Sequence, residues 1–178
     1  MIALISLVFA GVLAHGEPWQ ALNKENFLPY FNDVSPKQNF AQRWDEINPW
    51  TLSLIYEFAF YNGYEIYVHS HVRPGHGNSR HQENHKSAVD VRFHLFDGFT
   101  RCQKFDFNVT VWEQIQEFAL NFGYGDIKGL GIYYDVNNPF IHIDLRESDD
   151  DDGANWARVN GNYVTIEEGL EYYRNECP

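Results

Sequence analysis

Apolar positions recur along the chain with helical spacing in some stretches and strict alternation in others. From Asn48, the residues Trp50, Leu54, Ile55 and Phe58 fall on one helical stripe; Asn48 suits a cap, Pro49 the first turn and Asn62-Gly63 a stop. Tyr64 to Ser70 then reads as a strand rich in aromatic and branched residues, and Arg73 to Ser79, with two glycines and a proline, as a loop. Ala88 to Phe96 alternates, so Val89, Val91 and Phe93 face a core while Ala88, Asp90 and Arg92 share the other face. Thr110 and Glu113 read as the capping box of a second helix, whose stripe of Ile115, Phe118, Ala119 and Phe122 ends at Gly123. Leu130 to Tyr134 and Phe140 to Leu145 read as a hairpin, and Thr165 with Glu168 opens a final helix. With no internal repeat or linker, the pattern predicts one α+β domain with helices on the apolar face of a mostly antiparallel sheet.

The first residues follow a different rule. Ile2 to Ala14 is a run of thirteen uncharged, mostly apolar residues, too short to span a bilayer and bordered by His15-Gly16-Glu17-Pro18. It reads as a secretory signal peptide over residues 1–16, leaving 17–178 as the single mature domain, extracellular and without membrane attachment; a buried N-terminal strand or helix is the alternative. In that compartment Cys102 and Cys177 would form one bridge, against the alternative of two free thiols. Asn108-Val109-Thr110 is a glycosylation sequon.

Composition narrows the partners. The 178 residues are 17% aromatic, enough for a core of large rigid rings, and 13 Lys plus Arg against 25 Asp plus Glu give a net charge of −12. Such a surface excludes nucleic acid as a partner. The run Asp149 to Asp152 reads as a solvated turn rather than a calcium site, which needs spaced ligands.

Histidine is concentrated. His69, His71, His76, His81 and His85 fall within seventeen positions, Asp90 follows, and His142 stands on a distant strand whose alternation places it beside Asp144 and Arg146. Three ligands from His and Asp with a fourth position left to water is the chemistry of catalytic zinc. The same alternation is also compatible with solvent-facing polar decoration, and His71 and His76 with either proton shuttles or solvated loop residues.

Ser79-Arg80-His81, then Ala88-Val89-Asp90, Gly129-Leu130-Gly131-Ile132-Tyr133 and Phe140-Ile141-His142-Ile143-Asp144, with Trp156 beyond, resemble the zinc D-Ala-D-Ala carboxypeptidase family. The likeness spans roughly Tyr64 to Arg158. It implies the fold shared with the hedgehog signalling domain, Zn²⁺ held by His81, Asp90 and His142, and Arg73 as the electrophilic partner of the reacting carbonyl. His81 and Asp90 are nine apart where the family pattern S-x-H-x-x-G-x-A-x-D has seven, and Lys86 or Ser87 stands in place of its glycine. A two-residue insertion at Gln82-Glu83-Asn84 repairs the register; His85 and Glu83 are the rival first ligands. Some members carry a glutamate three residues before the last histidine, where this chain has Pro139. Asp144, on the same side of its strand as His142, is then the candidate base, or else it fixes a ligating imidazole.

The expected function is a secreted zinc metallopeptidase acting on peptidoglycan stem or cross-link peptides. The alternatives are a metal-binding but non-catalytic recognition module of the hedgehog type and a metal-free extracellular structural domain.

Overall fold

The computed structural model describes residues 22–35, 39–73, 79–81, 86–125, 127, 129–134, 137–145 and 154–177. The expected signal peptide, the Asp149 to Asp152 run, His76, Glu83, His85 and Arg146 lie outside them.

Two short helices, α1 (Lys24–Phe27) and α2 (Phe40–Arg43), flank β1 (Phe31–Asp33). The helix α3 (Pro49–Asn62) has the expected ends: the Asn48 side chain accepts from the Trp50 amide, Pro49 opens the first turn, and Gly63 closes it in the left-handed region at φ 69°. Then come β2 (Ile66–Ser70), β3 (Ala88–Arg92), α4 (Arg101–Asn121), β4 (Gly129–Tyr133), β5 (Ile141–Asp144), β6 (Ala154–Val159), β7 (Asn162–Thr165) and α5 (Ile166–Glu176). The last helix carries the expected reciprocal Thr165–Glu168 cap.

The other long helix starts earlier than the sequence pattern predicts. Thr100 caps α4, accepting from the Gln103 amide, and the Gln103 side chain returns a bond to the Thr100 amide. Thr110 lies inside the helix, its hydroxyl donating to the Asp106 carbonyl at 2.9 Å. The apolar stripe extends back to Phe105, interrupted by Asn108, which is fully buried and donates to the carbonyls of Lys104 and Pro139. A polar residue on the buried stripe masked the periodicity, and the sequon nitrogen is committed to the interior.

The strands form one sheet in the order β1-β2-β3-β5-β4-β6-β7. The β4–β5 pair is the expected antiparallel hairpin, but β1 runs parallel to β2 and β6 parallel to β4, so the sheet is mixed and the mostly antiparallel expectation is corrected. The cause is connectivity. A crossover through α2 and α3 separates β1 from β2, as parallel neighbours require, and β6 joins β4 on the side away from β5.

Val89, Val91, Leu130, Ile141 and Ile143 point to one side of the sheet and pack with Leu54, Ile55 and Phe58 of α3 and Val111 and Ile115 of α4. At the other end Ile132, Ala157 and Val159 pack with Tyr173 of α5 and Phe105 of α4. A Cβ on Gly169 would overlap the Ala157 methyl, so this glycine sets how closely α5 lies on β6. No helix among the described residues is long and apolar enough to cross a membrane.

Cys102 at the start of α4 and Cys177 after α5 are joined, with Cα atoms 5.6 Å apart. The bridge spans 75 positions, which by loop entropy alone is worth roughly 4–5 kcal/mol. The double variant Cys102→Ser/Cys177→Ser should lose about 2–4 kcal/mol in urea unfolding; an unchanged midpoint would show that α5 is held by packing alone.

Candidate metal centre

Antiparallel pairing of β3 with β5 sets Asp90 directly opposite His142. Their neighbours Val89, Val91, Ile141 and Ile143 fill the core, so alternation turns Asp90 and His142 to the opposite face. There the His142 Nδ1 lies 2.9 Å from the Asp90 Oδ1. The third group comes from the turn before β3: His81 Nε2 is 3.1 Å from the same Asp90 oxygen and 3.1 Å from His142 Nδ1. Exposures of 2%, 3% and 7% for His81, Asp90 and His142 place all three away from bulk water.

The turn that presents His81 is tied down by its backbone. The Ser79 hydroxyl accepts from the His81 amide, the Arg80 carbonyl accepts from the amides of Ser87 and Ala88, and the His81 carbonyl accepts from Arg73 at 2.6 Å. Lys86, one of the two residues that stand where the quoted pattern has glycine, has φ 56°. The backbone keeps a left-handed step that glycine adopts freely and lysine only at a cost.

One bond decides what the cluster can hold. His81 Nδ1 lies 3.2 Å from the backbone carbonyl of His71, which can only accept, so the ring proton sits on Nδ1. The Nε2 then faces a carboxylate oxygen 3.1 Å away, a spacing that calls for a proton or a metal cation between the two atoms. Three such donors, two imidazole nitrogens and one carboxylate oxygen, all lie within 4.8 Å of one another. A tetrahedral zinc with ligands near 2.0–2.1 Å holds them about 3.3 Å apart, close to what is found, so the donor set and its spacing fit the ion. Burial pushes the Asp90 carboxyl up, but His81 and His142 outweigh it and hold it well below the usual carboxylate range, keeping the oxygen ionised.

The cluster opens onto a cleft of about 890 Å³. Arg73, which is 47% exposed, reaches to 4.0 Å from the second oxygen of Asp90. Asp144 is fully buried, with Arg80 Nε 4.0 Å from its carboxylate, and it is not on the cleft wall. The expected ligands His81, Asp90 and His142 are therefore brought together and Arg73 stands beside them, whereas Asp144 is turned toward the base of the His81 turn. His71 is fully buried, neither solvated nor on the cleft; its contribution is the carbonyl that orients His81.

Sequence reasoning names Tyr133 and Trp156 among the motif residues but gives them no place in the site, and it misses the hairpin that brings Arg158 and Tyr163 to the far wall. Trp156, Arg158 and Tyr163 of the β6–β7 hairpin, with Tyr133 of β4, complete the cleft. The signal was present in Asn160-Gly161, both at positive φ (50° and 82°), the two-residue turn that closes a hairpin. Trp156 lies 5.4 Å from the His142 ring and 5.1 Å from Tyr133. Gly131 makes this possible, since a Cβ there would overlap the indole. Burial, then the charge of Asp90 and a bond with Tyr163, raise the Tyr133 phenol, which stays protonated at neutral pH.

No family model matches the chain, and neither does any curated protein or solved structure.

Gly131→Ala should displace Trp156, changing its fluorescence and costing about 1–3 kcal/mol; an unshifted emission would mean that the indole does not rest on the strand. Acid is a second test. Burial lowers His71 to about 4, and burial followed by the charge of Arg92 lowers His69 to about 4. Unfolded imidazoles protonate near 6.5, so between these values the unfolded chain binds more protons. Stability should fall as pH drops from 6.5 toward 4, by on the order of 1 kcal/mol per unit for each ring, and this contribution should level off below 4. Flat urea midpoints across that window would contradict it.

Proposed function

We propose that the chain is a zinc-dependent peptidase, secreted, with His81, Asp90 and His142 as ligands and peptidoglycan stem or cross-link peptides as substrates. The observation that carries the metal is the buried cluster itself, in which His81, Asp90 and His142 offer three donor atoms within 4.8 Å of one another and the His71 carbonyl orients the His81 ring. The substrate class and the hedgehog-like fold come from the resemblance of the motifs. The left-handed Lys86, which marks a backbone step where the pattern has glycine, supports reading the longer His81-to-Asp90 spacing as an insertion that keeps His81 in its place. The disulfide fits passage through an oxidising compartment.

Bound zinc supplies Lewis acidity toward a water and a peptide carbonyl. The chain's own groups do the rest. Arg73, 47% exposed beside the cluster and so within reach of a ligand in the cleft, would donate to the oxygen that gains charge as the carbonyl becomes tetrahedral. Tyr133, a protonated phenol on the same cleft, is a second donor within the wall. Trp156 shields the His142 side from water. Asp144, buried against Arg80, fixes the turn that carries His81, a role its position favours over that of proton acceptor.

Digestion of defined wall peptides by the zinc-loaded protein, read by mass, tests the reading. Hydrolysis abolished by a chelator and by His142→Ala, with a rate loss on the order of a hundredfold in Arg73→Ala, is the expected result. Intact peptides with a fully metallated protein would favour the recognition module instead. Asp144→Asn should weaken zinc retention while sparing turnover at saturating metal; loss of turnover at full metal content would return the base role to Asp144.

A further inference from the structure

The strand that flanks Asp90 on the side away from His142 is irregular. On β2, Val68 pairs with Val91 of β3 and faces the core, while Ser70 pairs with Asp90, so two residues of β2 advance against one of β3. Strict alternation would give Ser70 the same side as Val68, among the apolar residues. The bulge at His69 reverses that and turns Ser70 to the face that carries Asp90 and His142. His69, the extra residue, lays its ring against Phe140, with centres 4.9 Å apart.

One row therefore crosses three strands on the cleft face: a hydroxyl on β2, a carboxylate on β3 and an imidazole on β5. The metal cluster leaves the hydroxyl unused. Ser70 lines the cleft and is 8% exposed, and among the described residues of the cleft wall its Oγ is the one buried side-chain nitrogen or oxygen without a hydrogen-bond partner. Asp90 does not take it: Oδ1 meets His81 and His142, and Arg73 approaches Oδ2 at 4.0 Å. An unpaired buried hydroxyl is costly, and a bulge that moves one from the core side into a cleft is accounted for by a group there that accepts from it. Arg73 stands on the same side of Asp90, three residues after Ser70. Hydroxyl and guanidinium both donate, so this corner suits an oxygen that carries negative charge.

We infer that Ser70 is a further donor, beside Arg73, to the oxygen that gains charge when a peptide carbonyl is attacked at the cluster. This rests on the peptidase reading and adds to it a residue outside the resemblance. Ser70 donates a hydrogen bond and keeps its proton; no bond to its oxygen forms or breaks. The contact tightens as the carbonyl becomes tetrahedral, so Ser70 favours the transition state over the bound peptide.

The test uses the zinc-loaded full chain and a phosphinic analogue of N-acetyl-Ala-Ala amide, in which an anionic phosphinate and a methylene replace the central carbonyl and nitrogen and present a charged tetrahedral oxygen. Ser70→Thr keeps the hydroxyl, and Ser70→Val matches its bulk without it. Phosphinate affinity, read by calorimetry, should fall on the order of tenfold from the unaltered chain to Ser70→Ala and from Ser70→Thr to Ser70→Val, with zinc content unchanged. In hydrolysis of wall peptides the same losses should appear in kcat, with KM little altered. Equal phosphinate affinity in Ser70→Thr and Ser70→Val, no phosphinate binding by the unaltered chain, or zinc lost together with the hydroxyl would overturn the inference, the last by assigning Ser70 to Asp90. A chain that takes up no zinc or cleaves no wall peptide would end the peptidase reading, and the phosphinate affinities of the four proteins would still decide the role of Ser70. Equal affinities in a chain that does cleave would remove this inference alone.

Discussion

The register of one strand pair governs the site. Asp90 faces His142 across the β3–β5 ladder, and a slip of one residue would send both into the core and turn Val89 and Ile143 outward. The apolar side of the same two strands, packed under α3 and α4, makes that slip too costly to occur. Hydrophobic burial on one face thus fixes the positions of two ionisable groups on the other. The third group does not come from the ladder. His81 is delivered by a turn whose backbone is bonded to Arg73, Ser87 and Ala88, so the cluster joins two rigid strand positions to one braced turn.

Electrostatics at the centre follow from that geometry. Asp90 is buried, which by itself disfavours its charge, and stays ionised because two imidazoles meet one of its oxygens. The imidazole of His81 is held in one tautomer by a carbonyl that belongs to a fully buried histidine. The surrounding cleft then gathers guanidiniums and aromatic rings on an otherwise acidic molecule. Gly131 gives up its side chain so that Trp156 can lie on the strand, as Gly169 does for the helix behind it.

Much of this was legible in the sequence where one physical signal acted alone. Asn48, Pro49 and Gly63 mark α3 without competition, and the alternation of Ala88 to Phe93 separates core from site residue by residue. His81, the favoured first candidate, does stand in the cluster, and the serine two positions earlier has a hydroxyl that accepts from the His81 amide, while the rivals His85 and Glu83 lie outside the described residues. Legibility failed where signals conflicted. Thr100-x-x-Gln103 and Thr110-x-x-Glu113 are equally good boxes, and buried Asn108 broke the stripe that would have chosen between them. The parallel pairings depend on which side of β4 the chain returns to, which no local pattern encodes. Asp144 has the strand parity of a site residue, but its carboxylate is drawn to Arg80 by a contact between residues sixty-four positions apart.

The central claim is that His81, Asp90 and His142 share one cation. Anomalous diffraction at the zinc edge from crystals of the zinc-loaded protein measures this directly. A single peak about 2.0–2.2 Å from His81 Nε2, Asp90 and His142 Nδ1, with a fourth position facing the cleft, is the predicted result. A peak at other residues, or none while these three groups stay hydrogen-bonded to one another, would contradict it.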